Sequence, residues 1–175
     1  MSFRKIDPTE LPGNAIDEIC NKWMLLAAGT EDDFNFMTIN WGMLGELWFK
    51  PAMTVYVRHS RHTFGYMENN DVFTVTCLKP GHEDALKLAG SKSGRDIDKL
   101  KESGLTKTMI DGAPTFEEAA YTLVCKKMYA QELPPENCTD MPIFEHAYDA
   151  PDYHKMYIGQ IVAAAAAPYI QFRIA

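Results

Sequence analysis

Apolar and polar positions alternate most regularly at residues 53–58, where Met53, Val55 and Val57 share one side and Thr54, Tyr56 and Arg58 the other. A period of two marks a half-buried strand, and it turns Arg58 away from the Val55 face. Nearer the start the period changes. After the Pro12-Gly13 break, Ile16, Ile19, Cys20 and Trp23 recur at helical spacing and predict a short opening helix. Residues 23–30 then read as a buried strand, Asp32-Asp33 as a turn and residues 35–41 as a second strand, after which Gly42 and Gly45 break the pattern.

Residues 61–69 predict a helix, 68–71 a polar turn, and 72–78 a strong strand ended by Pro80-Gly81. A helix over about 82–89, the loop Gly90-Ser91-Lys92-Ser93-Gly94 and a second helix over 95–103 follow, closed by Gly104 where a left-handed cap suits glycine. Residues 120–130 form a long β-like run, 133–152 a proline-rich loop and 157–162 a last strand. The five alanines at 163–167, stopped by Pro168, receive no function. Strands interrupted by brief helices, without a regular βαβ rhythm, predict a mainly β (α+β) fold: an antiparallel barrel of about six strands with inserted and peripheral helices.

Composition narrows the classes. At 175 residues, 46% hydrophobic and 23% charged, the chain suits one globular domain over 1–175. A net charge of -7 and a sequence pI near 5.2 exclude a nucleic-acid binder held by backbone phosphates. Cysteines at 20, 77, 125 and 138 include no C-x-x-C pair, so neither a zinc knuckle nor a disulfide framework is indicated, and a reducing cytoplasm is the expected location. The N-terminus lacks a signal-peptide core, and the longest apolar run, 161–167, is far short of the ~20 residues of a membrane helix. A soluble protein with no membrane partner is expected.

Against this acidity, Val57-Arg58-His59-Ser60-Arg61-His62-Thr63 stands out. Two guanidiniums can fork onto phosphate oxygens, with Ser60 and Thr63 beside the free N–H groups of a helix start. The alternative is that Arg58 and Arg61 pair with surface carboxylates such as Glu68 or Asp71. Ser91, Lys92, Ser93 and Arg95 make a second candidate cradle, though the spacing is not that of a Walker loop and no G-x-G-x-x-G occurs. Asn35 to Gly42, continuing to Trp48 and Pro51, mixes amides, hydroxyls and large rings that can line a pocket for a flat heteroaromatic; alternatively Trp41 and Trp48 are core or interface aromatics. His59 and His62 lack a third partner for a metal, and no serine or cysteine triad is present. His154, a lone histidine ahead of the last strand, is open to a structural or a catalytic role.

Taken in order, Asn35-x-Met37-Thr38-x-x-Trp41-Gly42, Lys50-Pro51, Val57-Arg58-x-Ser60-Arg61-x-Thr63, Phe73-Thr74-Val75, Gly90-x-x-Ser93-Gly94-Arg95-x-x-Asp98-Lys99 and Tyr153-His154-x-x-Tyr157-x-Gly159 resemble the flavin reductase-like, FMN-binding split-barrel family, and within it the flavoredoxin-like members. The likeness runs from about 23 to 162. It implies a split β-barrel that forms a homodimer, with one FMN per subunit near the dimer interface. By the same likeness Met37, Thr38, Asn40 and Trp41 border the ring or ribityl chain, and Trp48 joins the candidate flavin-binding residues as a pocket aromatic of the same segment. Arg58, Ser60, Arg61 and Thr63 hold the phosphate, and Ser91, Lys92 and Ser93 add contacts. His154 falls where some relatives carry a histidine near the nicotinamide, although Pro151-Asp152-Tyr153 and Gly159-Gln160-Ile161 depart from the usual flanking residues. The implied activity is an FMN-dependent oxidoreductase that takes electrons from NAD(P)H or a redox protein. Two alternatives are a flavoredoxin-type carrier without efficient NAD(P)H oxidation and a non-catalytic flavin-binding or sensory barrel.

Overall fold

The structure, a computed structural model, describes residues 3–11 and 13–168. Pro12 of the expected Pro-Gly break and Met1-Ser2 of the N-terminus lie outside the described residues. In chain order the strands are β1 (Arg4–Ile6), β2 (Met24–Gly29), β3 (Phe34–Ile39), β4 (Gly42–Leu47), β5 (Lys50–Arg58), β6 (Val72–Leu78), β7 (Lys107–Ile110), β8 (Ala113–Phe116), β9 (Ala119–Glu132) and β10 (His154–Ala166). The helices are α1 (Ala15–Cys20), α2 (His62–Asn69), α3 (Glu83–Ser91), α4 (Lys99–Ser103) and α5 (Met141–Ala147).

All pairings are antiparallel, in the order β3-β2-β6-β9-β10-β5-β4, with β1 added to the far end of β10 and β7-β8 a separate hairpin. Only residues 40–41 join β3 to β4, the two ends of the path, which holds those ends within about 11 Å of each other. The sheet therefore curls back on itself and stays split at one seam, and Asn40 and Trp41 sit on that seam.

Side-chain parity builds two layers. In β2, Leu26 and Ala28 face the barrel interior with Met37, Val55, Val57, Phe73, Val75 and Tyr157. Leu25 and Ala27 face outward, yet they too are buried, beneath Leu86 and Ala89 of α3 and beside Phe36 and Phe116. Burial on both faces explains why residues 24–28 read as one continuous apolar run. β5 follows the expected alternation, with Met53, Val55 and Val57 in the core.

Several boundaries differ from expectation. Gly42 and Gly45 do not interrupt the chain: both lie in β4, paired with Val55 and Ala52, and β4 together with β1 brings the sheet from the six expected strands to eight. The opening helix stops at Cys20, before Trp23, whose φ of 62° is incompatible with its continuation. Residues 95–98 are turn rather than helix, though Gly104 adopts the left-handed cap at φ 68°. Within 133–152, Pro135–Asn137 makes a 3-10 turn and α5 forms behind an Asp140 cap that accepts from the Ile143 N–H at 3.3 Å. The last strand begins at His154 and absorbs the alanine run, where Ala164, Ala165 and Ala166 lie buried between β1 and β9. Among the described residues no helix is long and apolar enough to cross a membrane.

Candidate functional site

β5 leaves the sheet at Arg58, and the chain turns through 59–61, with the Arg61 N–H donating to the Arg58 carbonyl at 3.1 Å, to start α2. The expected hydroxyl cap is not used: Arg61 occupies the capping position with no side-chain bond, which leaves the first N–H groups of α2 facing the turn. Two crossed bonds lock this turn to the last turn of α3 and the loop that follows it. Arg61 Nη1 donates to the Gly90 carbonyl at 3.0 Å, and Arg95 Nη1 donates to the Ser60 carbonyl at 3.0 Å. Gly94 seats that loop so closely that a Cβ there would stand 2.4 Å from Asn35 Oδ1.

Between these loops lies a hollow of about 320 Å³ that takes in Arg58, Ser60, Arg61 and Thr63 from one side and Ser91, Lys92, Ser93 and Arg95 from the other. The two clusters that the sequence presents separately thus face one space. Neither Arg58 nor Arg61 pairs with Glu68 or Asp71 among the described ion pairs; Glu68 instead holds Lys155 and Tyr157. Thr63 is buried, and its hydroxyl accepts from Asn35 Nδ2 at 2.8 Å, leaving its own proton to donate. Ser93 Oγ accepts from the Arg95 N–H, and the exposed Ser91 hydroxyl donates to the Lys87 carbonyl.

A fifth cation lies under the hollow. Lys99, 6% exposed, donates from Nζ to the Phe36 carbonyl at 2.9 Å and the Ala89 carbonyl at 3.0 Å. Burial, aided by the nearby Arg61 charge, pushes its pKa down to about 8. One N–H of the ammonium remains for an anion. Lys99 ends the motif Gly90-x-x-Ser93-Gly94-Arg95-x-x-Asp98-Lys99, yet nothing in its spacing marks it as a site residue. Asp152 is the other unexpected member: its carboxylate accepts from the Ser60 N–H at 3.2 Å and from Ser60 Oγ at 2.5 Å.

A second hollow of about 260 Å³ shares Met37, Arg58 and Arg61 with the first and continues to Thr38, Asn40, Trp41 and His154 along the seam. Thr38 Oγ1 donates to the Leu86 carbonyl at 2.5 Å, tying β3 to α3. Trp41 is 41% exposed and its ring lies 4.8 Å from that of His154. His154 Nδ1 is 2.8 Å from the Tyr148 hydroxyl, and burial with Arg58 nearby lowers its pKa to about 4, so the ring is neutral at neutral pH. A third hollow, about 420 Å³, opens on the other side of Arg61 against Trp23, Leu86 and Gly90. Trp23 is an aromatic wall that sequence reasoning placed at a helix end.

One expected residue lies elsewhere. Trp48 is not brought to these hollows; it forms the β4–β5 turn with Phe49, both at positive φ, and packs on Tyr129 at 6.3 Å. His59 approaches Glu132 at 3.3 Å, whereas His62 packs on Tyr66, so the two imidazoles do not converge.

The arrangement offers a cationic end for phosphate and an adjoining seam, with ring and hydroxyl groups, for a flat heterocycle. Known structures share the fold. A flavoredoxin from Methanosarcina acetivorans aligns over 86% of this chain and 71% of its own, at 21% identity and a TM-score of 0.67. An FMN-binding domain of a flavin reductases-like enzyme from Shewanella baltica aligns over 94% and 77%, at 18% identity and 0.67. An NADH:FAD oxidoreductase from Streptomyces globisporus aligns over 84% and 76%, at 17% identity and 0.62. No curated protein matches the chain. The model of the flavin reductase like domain matches residues 16–170, nearly the whole of the described fold, and the chain belongs to that family.

Proposed function

We propose that this protein is an FMN-binding oxidoreductase, a single domain over residues 1–175 that exchanges electrons between NAD(P)H or a redox protein and its flavin. One observation carries the reading: the cationic hollow and the seam hollow share Arg58, Arg61 and Met37, so one ligand with a phosphate at one end and a flat ring at the other fits both. The donor set suits the group. In a chain of net charge -7, Arg58, Arg61, Lys92, Arg95 and Lys99 surround one space. Phosphate falls to Arg58, Arg61, Ser60 and Thr63, with Lys92 and Ser93 closing the far side. Thr38, Asn40 and Trp41 border the ring.

A bound flavin supplies the electron chemistry itself. The protein's share is position, field and water exclusion. Arg61, which lines all three hollows, keeps positive charge beside a ring that becomes more electron-rich on reduction. His154, neutral and tied to Tyr148, offers a hydrogen-bonding edge without a competing charge where a nicotinamide would approach.

The carrier alternative draws on one feature. Residues 133–153 lay Tyr148 against both Trp41 and His154, narrowing the approach of a second planar ligand. A homodimer is part of the same proposal: Trp48, 59% exposed, and Phe49, 93% exposed, make an apolar hairpin tip suited to a second subunit. The proposed location is the cytoplasm.

The test begins with the purified protein. Denaturation is expected to release FMN rather than FAD, resolved by chromatography, and anaerobic NADH or NADPH is expected to bleach the flavin band. Release of no flavin and failure to bind added FMN would refute the reading. Bleaching only with a protein donor selects the carrier form.

A further inference from the structure

Both donors at the end of β5 are engaged by the strap that links β9 to β10. Arg58 Nη2 donates to the Ala147 carbonyl at 3.2 Å and lies over the Tyr148 ring at 5.3 Å. Ser60 gives its N–H and its hydroxyl to Asp152, a two-point grip on a carboxylate of the kind phosphate oxygens would receive. Elsewhere Tyr148 ties the strap to the seam, its ring 6.3 Å from that of Trp41 and its hydroxyl 2.8 Å from His154 Nδ1, while Phe144 packs within the strap on Tyr148 at 4.7 Å and Tyr153 at 5.2 Å. Its acceptors Ala147 O and Asp152 thus hold the very groups assigned above to the ligand.

We propose that Asp152 is an internal competitor for the phosphate end of the flavin, so that a phosphorylated flavin enters only by displacing it and loosening the strap over residues 141–153. The inference rests on the flavin reading. Two anions cannot share Ser60 and the adjacent cations without mutual repulsion, and a carboxylate within the hollow raises the cost of bringing a phosphate to it. Asp152 therefore sets specificity by weakening affinity for phosphorylated ligands alone. Because the same carboxylate tethers the strap, the flavin becomes an exchangeable ligand rather than a permanent one, and the aromatic cover over Trp41 and His154 moves with each exchange.

The test uses the full-length protein, stripped of flavin, titrated with FMN and with riboflavin, which has the ring but no phosphate. Asp152→Asn is expected to tighten FMN binding about tenfold, the size of one charge-assisted hydrogen bond, and to leave riboflavin unchanged. Asp152→Ala, which removes the acceptor altogether, is expected to act in the same direction. In the wild type, FMN and inorganic phosphate are each expected to speed amide hydrogen exchange across 141–153, whereas riboflavin does not. Weaker or unchanged FMN affinity in both variants would overturn the proposal, as would equal shifts for FMN and riboflavin, or strap exchange that phosphate leaves unaltered. Failure of the wild type to bind either flavin would bring down the flavin reading and this inference with it. Normal FMN binding without the Asp152 effects refutes only the competitor role.

Discussion

Arg58 and His154 are register partners across the β5–β10 ladder. Their side chains nonetheless belong to one working corner: Arg58 lines both the cationic hollow and the seam hollow, His154 lines the second, and the guanidinium is one cause of the imidazole's lowered pKa. Strand pairing between residues 96 apart in sequence thus couples the cationic hollow to the seam hollow.

Removal of either guanidinium is expected to weaken FMN binding. At about 1.5–3 kcal/mol for a hydrogen bond to a charged group, Arg58→Ala and Arg61→Ala should each raise the FMN Kd by one to two orders of magnitude. The double variant should lose less than the sum, since both guanidiniums serve one hollow. Arg61→Ala should cost thermal stability as well, because the bond to Gly90 that ties the two loops goes with it. Fluorescence titration with FMN measures the first effect and Tm the second; an unchanged Kd in the double variant refutes the phosphate assignment.

Lys99 makes affinity pH-dependent on the alkaline side. Its pKa is lowered from 10.5 to about 8, so above that value the folded protein loses a positive charge beneath the cationic hollow. FMN affinity should fall as pH rises through 8, and Lys99→Met should flatten the profile while weakening binding at pH 7. Stability runs the other way. Between pH 8 and 10.5 only the unfolded chain carries this proton, so the group's contribution to stability rises with pH across that window. A wild-type FMN Kd that stays flat from pH 7 to 9.5 would exclude Lys99 from the site.

How much of this corner could be read beforehand depends on how local its causes are. Residues 53–58 and 72–78 announced themselves, since alternation and β-branched side chains act within the strand. β4 did not, because Gly42 and Gly45 have poor strand propensity and are held by pairing to β5 from outside. The alanines of β10 carry the strongest helix propensity of any residue, and the ladders to β1 and β9 override it. α5 was signalled by Asp140 and Pro142, an N-cap and an early-turn proline, though the other prolines of the segment hid it. At the site, the arginine and serine loops were visible as charge clusters in an acidic chain. Lys99 and Asp152 were not, because each reaches the hollow only through tertiary placement: one through burial under α3, the other through the strap. Trp48 looked like a site aromatic because proximity in sequence to Trp41 says nothing about which end of β4 faces the seam.

His154 should stay neutral through the range in which an ordinary histidine titrates. Its folded pKa of about 4 lies below the usual 6.5, so its contribution to stability is complete above pH 6.5 and is lost as pH falls from 6.5 toward 4. His154→Gln should flatten that part of the Tm-against-pH curve. In turnover with NADH, the wild type should show no ionisation near pH 6.5 assignable to this ring; a rate profile with such a step that vanishes in His154→Gln would contradict the neutral assignment.

Gly94→Ala tests whether loop seating, rather than charge alone, builds the cradle. An added Cβ would stand 2.4 Å from Asn35 Oδ1 and 3.0 Å from His62 Nδ1, the latter a buried atom with no hydrogen-bond partner. Asn35 is itself buried and donates to Thr63, so it cannot simply swing aside without leaving that amide unsatisfied. The loop must therefore back away, carrying Ser93 and Arg95 from the hollow. Overpacking of this kind costs about 1–3 kcal/mol, which predicts a lower Tm together with weaker FMN binding, although no charged group has been removed. Riboflavin, which lacks the phosphate, should be affected much less. Were Gly94→Ala to lower Tm while both flavins bound as before, the 90–95 loop would be a structural brace and not a wall of the phosphate site.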